Sequence, residues 1–383
     1  MINKLIAMLF VTLFINTSLC ALDKDNIREI TIGTYHSDNQ DNIGSDNENH
    51  YGSYAEFEVF KRVYINKYIN ISGELGAYYY GQVFATTTHH HKSDEHMLTL
   101  NELLLNISPI KDLTYSIGQI PAQDGAGTSI RSNELKKSDF LYTIIDNSGQ
   151  GQFIRYKLQD SKYNFRISIG EIESDRYPLD NDIRFSDKLK GTNGIYYLMG
   201  FKLDKFEFIL NRAEMDLRFK GIDALDVNVN ALGITYDDSD ESGIMLYTIL
   251  GQSKTTNNQI MIDTPFGKMP YTGTFGEKGT SKLFGIKYKF SYIKNEYYVG
   301  AEYLNQSKYW SGLAYGDPYS PSGNGDLGVI KTIYAGMDYS SKLNILVQYQ
   351  KKHLDTYINM QTLSQDDIDK DIDIFKIQLK YLF

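Results

Sequence analysis

Apolar and polar positions alternate with a period of two through most of the chain, the pattern of strands that divide a greasy environment from a wet one. Sixteen such segments are predicted. They lie near 27–35, 52–61, 68–80, 97–107, 112–120, 152–159, 162–171 and 194–203, then near 206–212, 225–236, 243–252, 282–290, 295–304, 329–339, 343–353 and 372–383. The connections between them alternate in length. Short links fall at 62–67, 108–111, 160–161, 204–205, 237–242, 291–294 and 340–342. Longer ones fall at 36–51, 81–96, 121–151, 172–193, 213–224, 253–281, 305–328 and 354–371. A membrane barrel with tight turns at one rim and long loops at the other requires this alternation, whereas a soluble sandwich has no reason to produce it. The expected fold class is therefore all-β, a transmembrane antiparallel β-barrel of about 16 strands.

Two hairpins test the register. With Asp160-Ser161 as a two-residue turn, Tyr156 falls opposite Phe165, Ile154 opposite Ile167 and Leu158 opposite Tyr163, while Lys157 and Asn164 share the other face. Around Asp204-Lys205, Leu203 meets Phe206, Phe201 meets Phe208 and Met199 meets Leu210, with Lys202 opposite Glu207. A one-residue slip would exchange the faces, so the agreement is informative.

The N-terminus reads as an export signal. Met1-Ile-Asn-Lys4 is a short positive region, Leu5 to Ile15 is apolar except for Thr12, and Ser18-Leu-Cys20 supplies a cleavage site after Cys20 or Ala21. The apolar stretch is shorter than the roughly 20 residues a membrane helix needs. Lipid attachment at Cys20 fits less well, with Leu19 where a small residue belongs and Thr17 where leucine belongs. The expected organisation is a signal peptide at 1–20 and one barrel domain at 21–383. Cys20 is the only cysteine, so no disulfide framework is available. The chain has 31 Tyr, 31 Gly and 19 Phe but one Trp, and no later stretch could cross a membrane as a helix. A barrel tolerates such average polarity because only alternate strand residues meet lipid. A net charge of -9 argues against a nucleic-acid partner.

The chain ends on Phe375-Lys-Ile-Gln-Leu-Lys-Tyr-Leu-Phe383, with Phe375, Ile377, Leu379, Tyr381 and Phe383 on one face and Lys376, Gln378 and Lys380 on the other. That ending resembles the C-terminal signal by which bacterial outer-membrane barrels reach their assembly machinery, which implies Tyr381 and Phe383 as assembly residues. The strand pattern and this ending resemble general-diffusion porins across the mature length. Gly118-Gln-Ile-Pro-Ala-Gln-Asp-Gly-Ala-Gly-Thr-Ser-Ile-Arg131 and Asn305-Gln-Ser-Lys-Tyr-Trp310 further resemble an uncharacterised porin-like family of epsilonproteobacteria. The resemblance implies an outer-membrane location, periplasmic turns, extracellular loops and a channel for small hydrophilic solutes. Its partners would be outer-membrane lipid and the assembly machinery, and a homotrimer is compatible with it. It brings no catalytic residues.

The candidate chemistry follows from strand parity. Arg155 and Arg166 are expected opposite each other on the polar face, with Lys157 and Lys202 on the same wall. Glu102, Glu296 and Glu302 fall on polar faces too. Such residues line a pore, or else are the mixed charges any barrel interior carries. The 121–151 connection is the third long one, and in porins that loop narrows the channel. Asp124, Arg131, Glu134 and Asp139, with Lys136 and Lys137, would supply its charges, and Phe140-Leu-Tyr-Thr-Ile-Ile145 would anchor it to the inner wall. The competing reading is a short extra strand above the membrane.

His36, His50, His89, His90, His91 and His96 crowd the first two long connections beside Asp94 and Glu95, but no spacing defines a metal site. Neither a catalytic constellation nor a cofactor motif is present, so no enzyme is expected. His353 near Asp355 is the only remaining histidine. Two functions stay open: a channel for passive diffusion, or a non-conducting barrel serving as adhesin or structural surface protein.

Overall fold

The computed structural model describes residues 28–41, 48–85, 90–120, 149–159, 163–174, 189–219, 222–239, 242–257, 260–264, 267–271, 278–293, 295–310, 326–340, 342–359 and 364–382. Its strands are β1 (Arg28–Asp41), β2 (Glu48–Asn66), β3 (Ile69–Ala85), β4 (His90–Ile110), β5 (Leu113–Ile120), β6 (Gly149–Gln159), β7 (Tyr163–Ser174), β8 (Leu189–Leu203) and β9 (Phe206–Phe219). They continue as β10 (Ile222–Asp237), β11 (Gly243–Asn257), β12 (Ile260–Thr264), β13 (Gly267–Tyr271), β14 (Lys278–Tyr292), β15 (Asn295–Gln306), β16 (Asp326–Ser340), β17 (Leu343–Asn359) and β18 (Ser364–Leu382).

All but β12 and β13 form one closed antiparallel barrel in chain order, with β11 passing directly to β14 and β18 pairing β1. Closure leaves no strand edge unpaired, which a sheet in lipid must achieve. Each of the sixteen predicted segments corresponds to one barrel strand. No helix of the described residues is long and apolar enough to cross a membrane, which says nothing against crossing by strands.

Three expectations need correction. First, the ladders run well into the connections expected at 36–51, 81–96, 213–224 and 354–371, so that β9 and β10 pair from Phe219 and Ile222. Over 36–41 both faces are polar, so the period-two signal fades while backbone pairing continues, whereas over 213–219 the alternation persists with Ala213 and Met215 on the inner face and Glu214 and Asp216 on the outer one. His36, His50, His90, His91 and His96 accordingly lie on strands, and His89 lies outside the described residues. Second, the connection expected at 253–281 contains the small hairpin β12–β13.

Third, the β6–β7 register is displaced by two residues. Leu158 pairs Phe165, Tyr156 pairs Ile167 and Ile154 pairs Ile169, so Arg155 faces Ser168 and Lys157 faces Arg166. A slip of two preserves both faces, so alternation could not detect it. The β8–β9 hairpin, by contrast, has the expected Leu203–Phe206, Lys202–Glu207, Phe201–Phe208 and Met199–Leu210 pairs. Its turn is tight enough to hold Asp204 at a φ of 51°.

Side chains that meet across an intervening strand identify the concave face. Tyr54 of β2 donates to Gln378 of β18 at 3.1 Å, across β1. Asn344 of β17 donates to Tyr298 of β15 at 2.9 Å, across β16. Alternate positions carry the apolar side chains, exposed on the convex face: Phe375, Ile377 and Leu379 on β18, and Ile195, Met199 and Phe201 on β8. Lys376, Gln378 and Lys380 are buried on the inner side. Near the short-turn rim, outward aromatics cluster, with Phe206 and Tyr236 rings 5.0 Å apart and Phe290 and Tyr297 rings 5.6 Å apart. An apolar outer belt edged by aromatic rings is the surface a barrel presents to a bilayer.

Candidate functional site: the inner wall

The strand alternation puts Arg155 and Lys157 of β6, Arg166 of β7, Lys202 of β8, Glu102 of β4, and Glu296 and Glu302 of β15 all on the inner face. The structure brings several of them together. Arg166 sits opposite Lys157 on one side and Gly200 on the other. Its side chain lies over Gly200, where an added Cβ would be 2.6 Å from Nε, and its guanidinium reaches Glu207 of β9 at 3.1 Å. The missing side chain at Gly200 thus lets a cation opposed by another cation find a carboxylate one strand further on. That ion pair offsets the repulsion expected between like charges directly opposed.

Glu102 accepts a hydrogen bond from Ser72 of β3 at 2.5 Å and lies within electrostatic reach of Arg62 and Arg155. The same polar patch continues through Asn106, which donates to Ser72 at 3.1 Å and accepts from Ser116 at 2.6 Å. Glu302 is buried and accepts from the Tyr247 hydroxyl of β11, across β14. Glu296, nearer the short-turn rim, pairs with Lys289 at 2.7 Å. Lys202 is exposed at the same rim.

Charge is distributed by sector. Strands β1 to β4 bring Glu29, Glu56, Glu58, Glu74 and Glu102 to the inner face, whereas β6 to β8 bring Arg155, Lys157, Arg166 and Lys202. The basic stripe therefore borders the acidic sector along the wall. Above Lys202 and Glu207 at the short-turn rim, the inner face of β8 to β11 is largely apolar, with Leu198, Ile209, Ala213, Met215, Val227, Val229, Ala231 and Ile249 buried.

Sequence reading missed the inner tyrosines. Tyr35, Tyr54, Tyr196, Tyr247, Tyr298 and Tyr334 are all buried on this wall. Lysine cations lie against two of them, Lys376 at 5.3 Å from the Tyr54 ring centre and Lys287 at 4.3 Å from that of Tyr298. Lys380 pairs with Glu29 at 2.7 Å. Their parity within each strand was the available signal, since they share faces with glycine and polar residues rather than with the lipid-facing aliphatics.

The expected loop residues Asp124, Arg131, Glu134 and Asp139 lie outside the described residues, as do the expected signal peptide at 1–20 and Phe383. Tyr381 pairs with Ile30 of β1 and Leu343 of β17 at the closing seam. Among the described residues no group of three His, Cys, Asp or Glu could hold a metal ion. His36 faces outward and stacks on Tyr51 at 4.4 Å, and His353 approaches Asp371 at 3.0 Å.

By sequence, neither a protein-family model nor a curated protein matches the chain. Solved structures do. A Salmonella typhi OmpF in complex with daunomycin is 13% identical, covering 95% of this chain and 99% of that one, with a TM-score of 0.50. An anion-selective porin from Comamonas acidovorans is 11% identical, covering 94% and 99%, with a TM-score of 0.50. The high-pH structure of Pseudomonas putida OprB is 9% identical, covering 94% and 95%, with a TM-score of 0.52. At such identities the likeness is one of fold. The chain thus shares the closed sixteen-stranded barrel fold of those structures, and its outward apolar belt is of the kind that suits a bilayer.

Proposed function

We propose that the protein is a channel for passive diffusion of small hydrophilic solutes or ions across the outer membrane, with no catalytic role and no cofactor. The observation that carries this reading is the partly accessible basic stripe of Arg155, Lys157 and Arg166 on the inner face of a sixteen-stranded barrel. A barrel this wide encloses more space than its wall side chains fill. Ionisable groups kept on a concave wall suit an aqueous path.

Narrowing by the segment around 132–145 belongs to the same reading. The buried apolar sector of β8 to β11 supports it, because aliphatic side chains facing open water would forgo about 25 cal/mol for every Å² left exposed. Phe140-Leu-Tyr-Thr-Ile-Ile145 has the composition to cover such a surface. Contact with the assembly machinery, a homotrimeric state and kinship with the epsilonproteobacterial porin-like family are further parts of the proposal.

One observation favours the non-conducting alternative. Many inner side chains are fully buried, including Tyr54, Tyr196, Tyr298 and Trp310, as they would be in a filled barrel. Swelling of liposomes reconstituted with the protein, in sugars of increasing size, separates the two. The channel predicts swelling that falls off with solute size; equal behaviour to protein-free liposomes for the smallest sugars would reject it.

A further inference from the structure

The motif Asn305-Gln-Ser-Lys-Tyr-Trp310 ends a strand in an unusual direction. Gln306 is the last residue of β15 paired with β14, opposite Ser281. Ser307 stays attached to β14, donating its N–H to the Thr280 carbonyl at 2.9 Å while its hydroxyl accepts the Thr280 N–H at 2.8 Å. The chain then turns, closed by a hydrogen bond from the Trp310 N–H to the Ser307 carbonyl at 2.9 Å. Within this turn the Tyr309 carbonyl accepts from the Ser253 hydroxyl of β11 at 3.4 Å.

Ser253 and Gly279 are direct partners in the β11–β14 ladder, and both occupy inner-face positions. A Cβ at Gly279 would overlap the Tyr309 carbonyl and the Trp310 Cα. The turn therefore passes inside the wall, crossing from β15 over β14 to β11. Gly279 is its seat, because only a residue without a side chain leaves room for backbone on backbone. Trp310 is fully buried where the turn ends.

The geometry assigns to Ser307–Trp310 the role of a pore-narrowing corner, a second determinant of channel width built at the long-loop rim and positioned by Gly279. This assignment rests on the channel reading. It requires no contribution from the segment around 132–145, and its elements lie on the β11–β15 side of the barrel.

Trp310 is the only tryptophan of the chain, so its fluorescence reports on the corner alone. In the unmodified protein, folded in lipid, its emission should be blue-shifted and poorly quenched both by aqueous acrylamide and by lipids brominated in their tails. Strong quenching by brominated lipid would put the corner outside the wall and overturn the assignment. In Gly279→Ala the corner must lift, giving a red shift, stronger acrylamide quenching and a larger single-channel conductance. Gly73→Ala is the control, since a Cβ there meets only ordinary neighbours at 3.6 and 3.8 Å, and it should change neither signal. If the unmodified protein conducts and Gly279→Ala releases Trp310 without raising conductance, the corner does not narrow the path. If the unmodified protein never conducts, the channel reading fails and the narrowing role falls with it.

Discussion

Tyr54 lies across Gly33, the residue directly opposite it on the neighbouring strand, and Tyr35 lies in the same way across Gly52. The arrangement recurs between β15 and β16, where Tyr298 covers Gly336 and Tyr334 covers Gly300. Each ring is laid flat on the wall by the absence of a side chain opposite, shielding backbone that glycine would leave bare. Large side chains thereby occupy the inner face without projecting across it.

These crossed pairs predict the response to added bulk. Gly33→Ala should lower the unfolding free energy by about 1–3 kcal/mol, because the ring has no other place to lie. Tyr54→Phe keeps the ring and loses the hydrogen bond to Gln378, for a loss of about 0.5–1.5 kcal/mol. Denaturant unfolding in detergent or lipid measures both. A neutral Gly33→Ala would show that the ring is not held against the backbone.

The short-turn rim carries a pH-sensitive contact. Lys205 lies 2.6 Å from Asp238, and its hydrogen bond holds the Asp238 carboxyl below the usual carboxylate range while raising the Lys205 ammonium. A lowered carboxyl pKa contributes stability above its unfolded value and loses it as pH falls through the folded one. A raised ammonium pKa contributes below its unfolded value and loses it as pH rises through the folded one. The contribution therefore spans neutral pH and fades at both extremes. Both groups are solvent-exposed, so the effect should be small. Unfolding midpoints of the parent and Asp238→Asn should differ slightly at neutral pH and converge in acid. A gap unchanged in acid would contradict the assignment.

The register of β6 and β7 yields a prediction about ion selectivity. Arg155 acts near Glu102, and Arg166 neutralises Glu207. Replacing both arginines by Gln removes two cations from the wall and takes Glu207 out of its ion pair, so the reversal potential in a salt gradient should move toward cation selectivity. The shift should be largest at low ionic strength, where screening is weakest. Deleting part of 132–145 should separately raise conductance. Should the double variant keep the parent's reversal potential, the stripe does not border the ion path.

How much of this was legible in the sequence depends on how far apart the interacting residues lie. The alternation of Phe375, Ile377 and Leu379 with Lys376, Gln378 and Lys380 assigned both faces of β18 correctly, because it is local. The Arg155–Arg166 pairing was misplaced because a two-residue slip leaves the same alternation. Contacts that skip a strand, such as Tyr247 with Glu302 or Arg166 with Glu207, need the curvature of a closed sheet and leave no trace in spacing. The inward turn over Gly279 was invisible for the same reason: a glycine in a strand does not announce which backbone will approach it.

Assembly gives a prediction independent of transport. Tyr381 joins the last strand to β1 and β17 at the seam, and Phe383 follows it on the same face of the sequence. Removing Phe383 should reduce the fraction recovered as a heat-modifiable barrel in the membrane, leaving the conductance of inserted molecules nearly unchanged. Undiminished insertion would remove any role of Phe383 in assembly.

The central claim is that the inner wall borders an open aqueous path. Single-channel recording of the unmodified protein in a planar bilayer tests it most directly. The predicted result is discrete, steady current steps at low voltage that scale with salt concentration. Barrels shown to be inserted and folded, yet giving no steady current at any salt concentration, would contradict it.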